Sequence, residues 1–422
     1  MTVRLGDPDT FVDGVPHEEI ARLRRAAPLS WQPLSNPDDP DDGFWAVLRH
    51  ADVVRVARDP ECFSASTGGI VVETLDDETL GMVRAMLLAM DPPRHGLYRK
   101  PLAETFTRRV IASLEPEIRA LCREILDERV TIPARRGDGR IDVDFVSGVA
   151  AEVPTRVMGR LMGVPREDWA LLHELSRRQT SGQDPDVTPP GQPPDFSASV
   201  EMALYGIELA TRRRARWASG AAPEPDLTTL VLSADFDGEP MSDVDFGSFF
   251  VQLVTAGNDT TTTMLSSGLW ALMAHPDAMS AMRGDVSTIP GAIEEILRWA
   301  NPLHYFRRTA TRDVVVGDPD GDGVEVKAGE KVAMYYTSAN RDDTVFDDPD
   351  RFDISRSPNP HLSFGIGEHF CLGAHLARME GRVFFETLFE HTSRIEPSGA
   401  PVHLRSNLNN AWKSVPVTID VT

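Results

Sequence analysis

The chain has 422 residues, 41% hydrophobic and 26% charged, which is enough apolar material for a core and excludes intrinsic disorder for its bulk. Against 65 Asp and Glu stand 43 Lys and Arg, a formal charge of −22 that argues against binding nucleic acid or an anionic membrane through bulk charge. Three scattered cysteines, Cys62, Cys122 and Cys371, exclude a disulfide framework or a zinc cluster and suit a reducing, cytoplasmic setting. The opening MTVRLGDPDTF lacks the apolar region of a secretory signal, and no run of about 18 apolar residues offers a membrane span.

In chain order, near-helical periodicity predicts helices over 17–27, 51–59, 92–109, 114–130, 150–161, 167–178 and 197–218. Between the last two lies 182–196, GQDPDVTPPGQPPDF, whose five prolines make it a loop. Its length marks it as a functional element such as a lid. Ser242 is an N-cap with Asp245 at the third helical position, and the pattern then runs to Ala274, where His275-Pro276 stops it. The middle of that helix carries Ala256-Gly257-Asn258-Asp259-Thr260-Thr261 between apolar flanks, and a glycine there is costly unless something uses it. Short strands are predicted over 44–48, 314–316, 324–326 and 331–336, the last two as a hairpin around 327–330. The fold class is mainly α with a minor β portion.

The most specific stretch is 364–378, FGIGEHFCLGAHLAR. A glycine-rich turn delivers Cys371 to the start of a helix, where freed N–H groups and partial positive charge favour a thiolate. A thiolate so placed needs a metal, a substrate carbonyl or another thiol as partner. No other cysteine lies near it in sequence.

This segment resembles the haem-ligand loop of the cytochrome P-450 superfamily, Phe-Gly-x-Gly-x-His-x-Cys-x-Gly-x-x-Leu-Ala-Arg, with every specified position matched. Four further segments agree with that family in its own order. They are the long-helix centre, Glu295-Ile-Leu-Arg298 with Arg356 downstream, Asp91-Pro-Pro-Arg-His95 leading to Arg99, and Arg308.

The resemblance implies the cytochrome P-450 fold, a triangular, helix-rich single domain over 1–422 with a long central helix over the haem. It adds a small N-terminal β-rich region and a mobile lid at about 165–218. It implies haem b with the Cys371 thiolate as axial ligand. Asp259 and Thr260 would deliver protons, and Ala256 and Gly257 would leave room for O2. His95, Arg99, Arg308 and His369 would hold the propionates, with Phe364, Gly365 and Gly373 shaping the haem loop. Glu295, Arg298 and Arg356 would form a buried structural triad, and Asp91 would cap the helix that bears His95.

The expected activity is insertion of one oxygen atom of O2 into an apolar substrate such as a sterol, lipid or secondary metabolite. The electrons would come from a ferredoxin and its reductase. The alternatives are oxidative coupling in natural-product tailoring and a non-catalytic haem-thiolate binding protein. Arg94, Arg99, Lys100, Arg108, Arg109, Arg378 and Arg382 would supply a basic docking face, whereas Arg212, Arg213, Arg214 and Arg216 read as a solvated helix end.

Overall fold

A computed structural model describes residues 3–34, 41–189, 197–236 and 238–422. It is 52% helix and 14% strand, so helix packing sets the architecture. The sequence-predicted helices form at His17–Ala26, His50–Ala57, Glu152–Leu161, Trp169–Thr180 and Ser197–Ala218. Two predicted helices differ. The 92–109 helix divides into Arg94–Thr105 and Arg108–Ser113, because Thr107 turns extended and accepts the Val110 N–H as a new cap. The 114–130 helix is regular over Glu115–Leu126 and then widens into a π turn over Asp127–Thr131.

The long helix runs unbroken over Asp243–Ala274, 32 residues or about 48 Å. Ser242 caps it as predicted, its hydroxyl accepting the Asp245 N–H at 3.0 Å. Helices Glu152–Leu161, Trp169–Thr180, Ser197–Ala218, Ile289–Ala300 and Ala374–His391 all pack against it. Phe249, Phe250, Leu265 and Leu269 from the long helix share one core with Val153, Val157, Phe384, Phe385 and Leu388. Burial on several sides explains why this helix lacks a clean polar face.

The main sheet has five strands in the order Leu29–Pro33, Gly43–Val47, Lys331–Tyr335, Tyr305–Ala310, Phe63–Ser64. It therefore draws on both halves of the chain, not on the N-terminal region alone. The predicted hairpin is also wrong in pairing. Val324–Val326 pairs with Val314–Val316, while Lys331–Tyr335 lies between Tyr305–Ala310 and Gly43–Val47. The turn at 327–330 carries the chain from one sheet to another. A second sheet joins Thr392–Pro397, Pro416–Val421 and Arg140–Asp144.

Of the proline-rich segment, 190–196 lie outside the described residues. Its first part is tied to the C-terminal tail. Gln183 donates to Glu73 and Asn407, and Asp184 accepts from Lys413 Nζ at 2.9 Å and the Arg405 N–H at 3.1 Å. Among the described residues no helix is long and apolar enough to cross a membrane.

Candidate active site

One cavity lies between the long helix and the Cys371 loop. Gln252, Ala256, Gly257 and Thr260 line it from one element, and Phe364, Gly365, His369, Cys371 and Gly373 from the other. Leu87, Leu88, Phe106, Met158, Leu303 and Phe306 supply apolar wall. His95, Arg99 and Arg308 enter it from separate segments.

The loop geometry follows from its glycines. Gly365 and Gly367 adopt φ of 66° and 75°, and a Cβ on Gly367 would meet the Ala57 carbonyl at 2.6 Å. The chain thus turns tightly enough for the Cys371 N–H to reach the Phe364 carbonyl at 2.8 Å. Helix Ala374–His391 starts directly beyond Gly373. Burial pushes the Cys371 thiol up, while the Gly373 N–H, Arg99 and Arg378 act in the opposite direction. The buried Phe364 ring lies under Arg378, whose guanidinium carbon is 4.4 Å from its centroid.

Across the cavity, Thr260 Oγ1 donates to the Ala256 carbonyl at 2.8 Å, the back-bond open to any helical threonine. Gly257 does more than leave space, since a Cβ there would meet Met158 Sδ at 2.5 Å. Its absence lets helix Glu152–Leu161 approach. Asp259 accepts the Ser176 hydroxyl at 3.1 Å and also that of Thr180, both on helix Trp169–Thr180. Desolvation raises its carboxyl to about 7 against the pull of those two hydroxyls.

His95 and Arg99 sit one turn apart on helix Arg94–Thr105, and the His95 ring centroid lies 4.3 Å from that of His369. Burial and nearby guanidiniums lower the pKa of His95 to about 4 and that of His369 to about 2. Asp91 does not cap this helix. Its carboxylate turns away to accept the Ser64 hydroxyl, the Ala65 N–H and the Ser66 hydroxyl at 2.5, 2.7 and 2.7 Å, which fixes the preceding loop.

Behind the loop, Arg298 makes a bidentate pair with Glu295 at 2.8 Å, and both side chains are fully buried. Arg356 Nε completes the cluster at 3.3 Å from Glu295. Asp353 N–H and Asn359 also donate to Glu295, and Arg298 holds the Asn340 and Pro349 carbonyls. The triad therefore ties helix Ile289–Ala300 to the loops around 340–359.

A family model described as cytochrome P450 matches residues 202–405. A steroid C26-monooxygenase of Mycolicibacterium smegmatis is 37% identical over 96% of this chain and 91% of its own. A methyl-branched lipid omega-hydroxylase of Mycobacterium bovis is 33% identical over 99% of this chain and 94% of its own. The solved structure of a Mycobacterium marinum cytochrome P450 in complex with pseudoionone superposes with a TM-score of 0.85. It is 37% identical and covers 95% of this chain and 94% of that one.

The chain belongs to the cytochrome P450 family. These are haem-thiolate monooxygenases, which carry haem b on a cysteine thiolate and use O2, an organic substrate and electrons from redox partners. The residues present fit such a group. Among the described residues, His95 Nε2 is buried without a partner, and Arg308, 5% exposed, pairs with no carboxylate and bonds only the Arg307 carbonyl. Buried cationic and N–H donors in that state suit the carboxylates of a haem.

The structure also shows site features of this P450 that its sequence did not announce. Ser176 and Thr180 hold Asp259, an i,i+4 hydroxyl pair whose target lies some eighty residues away. Glu380, buried in the cavity wall with an unpaired Oε2, is raised to about 8 by desolvation. Arg307, beside Arg308, donates to the Gly68 carbonyl at 3.0 Å and to Thr309.

Two readings of surface charge need correction. Arg378 pairs with Glu294 at 2.6 Å, Arg382 with Glu115 and Glu386, and Arg99 turns inward to the Phe370 carbonyl. Arg94, Lys100, Arg108 and Arg109 remain exposed. The 212–216 arginines are not a free solvated end, because buried Arg213 pairs with Asp226 and Glu224 and Arg214 with Asp243.

Proposed function

We propose that this P450 inserts one oxygen atom of O2 into an apolar molecule of the sterol, branched-lipid or terpenoid class. The observation that carries the reading is a cavity shared by the Cys371 loop and the Ala256–Thr260 turn, with a largely apolar wall. The relatives named for steroid and methyl-branched-lipid oxidation support the substrate class.

Cys371 would hold the iron, and His95, Arg99, Arg308 and His369 the propionates. When bound, the haem supplies the oxygen chemistry, and the thiolate favours O–O cleavage. The chain's part is proton handling and exclusion of water. Asp259, raised to about 7, is about half protonated at neutral pH and can pass that proton toward Thr260. Thr260 presents its hydroxyl at the cavity after releasing the Ala256 carbonyl. Helices Trp169–Thr180 and Ser197–Ala218, packed on the long helix, serve as the lid, within one domain over 1–422.

Electrons would arrive from a ferredoxin docked on the exposed Arg94, Lys100, Arg108 and Arg109. The three unpaired cysteines fit work in the cytoplasm.

The test is the spectrum of the purified, dithionite-reduced protein under carbon monoxide. A strongly red-shifted Soret band supports thiolate-ligated haem, and a band at the ordinary histidine-haem position overturns it. Spin-state titration with sterols, branched fatty acids and terpenoids then tests the substrate class.

A further inference from the structure

Gln252 lies on the long helix one turn before Ala256 and two turns before Thr260, and all three line the cavity. Its companions on that wall include Leu87, Leu88, Leu253, Leu303 and Phe306, so an amide stands among hydrocarbon side chains. Its Oε1 is buried without a hydrogen-bond partner. Two threonines of the same helix and an asparagine of the tail are already engaged. Thr255 donates to Gln179 Oε1 at 2.6 Å, Thr260 to the Ala256 carbonyl at 2.8 Å, and Asn409 to the Thr180 carbonyl at 3.2 Å. Gln252 is itself only partly buried, and an Oε1 with no partner among the described residues, set in a largely apolar wall, is a liability unless a ligand completes it.

Resting on the reading of an apolar substrate, we propose that Gln252 selects substrates carrying a hydroxyl group and binds that hydroxyl through its amide. A hydroxyl both donates to Oε1 and accepts from Nε2, so it satisfies the amide whichever atom faces the ligand. Helix geometry sets where the group lies. Four residues to Ala256 and eight to Thr260 correspond to about 6 and about 12 Å along the axis. The substrate is therefore an apolar alcohol whose hydroxyl lies about 6–12 Å from the oxidised carbon, which sits beside the Ala256–Thr260 turn.

The test compares farnesol, its methyl ether and the hydrocarbon farnesene on the haem-loaded enzyme, by spin-state shift and by equilibrium dialysis. The wild type is expected to bind farnesol about tenfold more tightly than farnesene, with the methyl ether between them. Gln252→Leu is expected to abolish that preference by weakening farnesol while farnesene binds as well or better. Gln252→Met serves equally if the leucine variant loads haem poorly, with the carbon monoxide band verifying the site in either. An undiminished farnesol preference in these variants, or equal binding of farnesol and farnesene by the wild type, overturns the role of Gln252. If no probe binds while the carbon monoxide band is intact, the apolar-substrate reading falls and this inference with it.

Discussion

Ser176 donates its hydroxyl to Oδ1 of Asp259 at 3.1 Å, and Thr180, one turn further on, bonds the other carboxylate oxygen. Helix Trp169–Thr180, packed on the long helix, thus grips the acid proposed to deliver protons. The two hydroxyls favour the carboxylate and partly offset the burial that raises Asp259 to about 7.

Replacing both hydroxyls, in Ser176→Ala with Thr180→Val, should raise the Asp259 pKa further. The acid form then persists to higher pH, and the alkaline limb of kcat should move up by about one pH unit. Asp259→Asn should remove the limb and lower kcat by about 100-fold. A pH profile of product formation in the three proteins checks both outcomes.

Thr260→Ala loses only the 2.8 Å back-bond to Ala256, so the helix and haem loading should survive. The proton relay should not. Most electrons drawn from the donor are expected to appear as hydrogen peroxide, measured as peroxide formed per reduced nicotinamide consumed. Unchanged coupling would remove Thr260 from the mechanism.

Cys371→Ser should abolish the red-shifted carbon monoxide band. Cys122 is fully buried and Cys62 takes two contacts from Arg312 at 2.9 and 3.2 Å, so neither replaces it. Retention of the band in the variant would place the ligand elsewhere.

Glu295→Ala should destabilise the protein by about 3–5 kcal/mol, because it leaves the buried Arg298 without its carboxylate. Arg356→Ala should cost less, since Arg298 still pairs with Glu295 in its absence. Denaturant midpoints of the three proteins rank these effects.

Stability should fall as pH drops below about 6.5. Burial lowers His304 to about 3 and His403 to about 4, so the folded chain resists protonation there while the unfolded chain accepts it. The stability is full above 6.5 and is lost progressively toward the folded values. For the fully buried His304, stacked on Phe11, the loss is about 1.4 kcal/mol per pH unit. Urea midpoints at pH 7, 6 and 5 test the slope, and His304→Phe should make it shallower, leaving the part due to His403.

What the sequence determined by itself is local. The glycines at 365 and 367, the cap at Ser242 and the one-turn spacings His95–Arg99 and Glu295–Arg298 act within a few residues, so they could be read before any fold was known. Tertiary structure decided what those groups meet. It buried the Glu295–Arg298 pair that would otherwise be a surface ion pair, and turned Asp91 from a cap into a clasp on Ser64 and Ser66. It neutralised Arg378 and Arg382, paired Lys331–Tyr335 with strands far along the chain, and set Ser176 and Thr180 on Asp259. Those partners lie tens to hundreds of residues apart, and a side chain's choice among them is made by packing, because the same arginine or carboxylate is equally content with water until its surroundings exclude it.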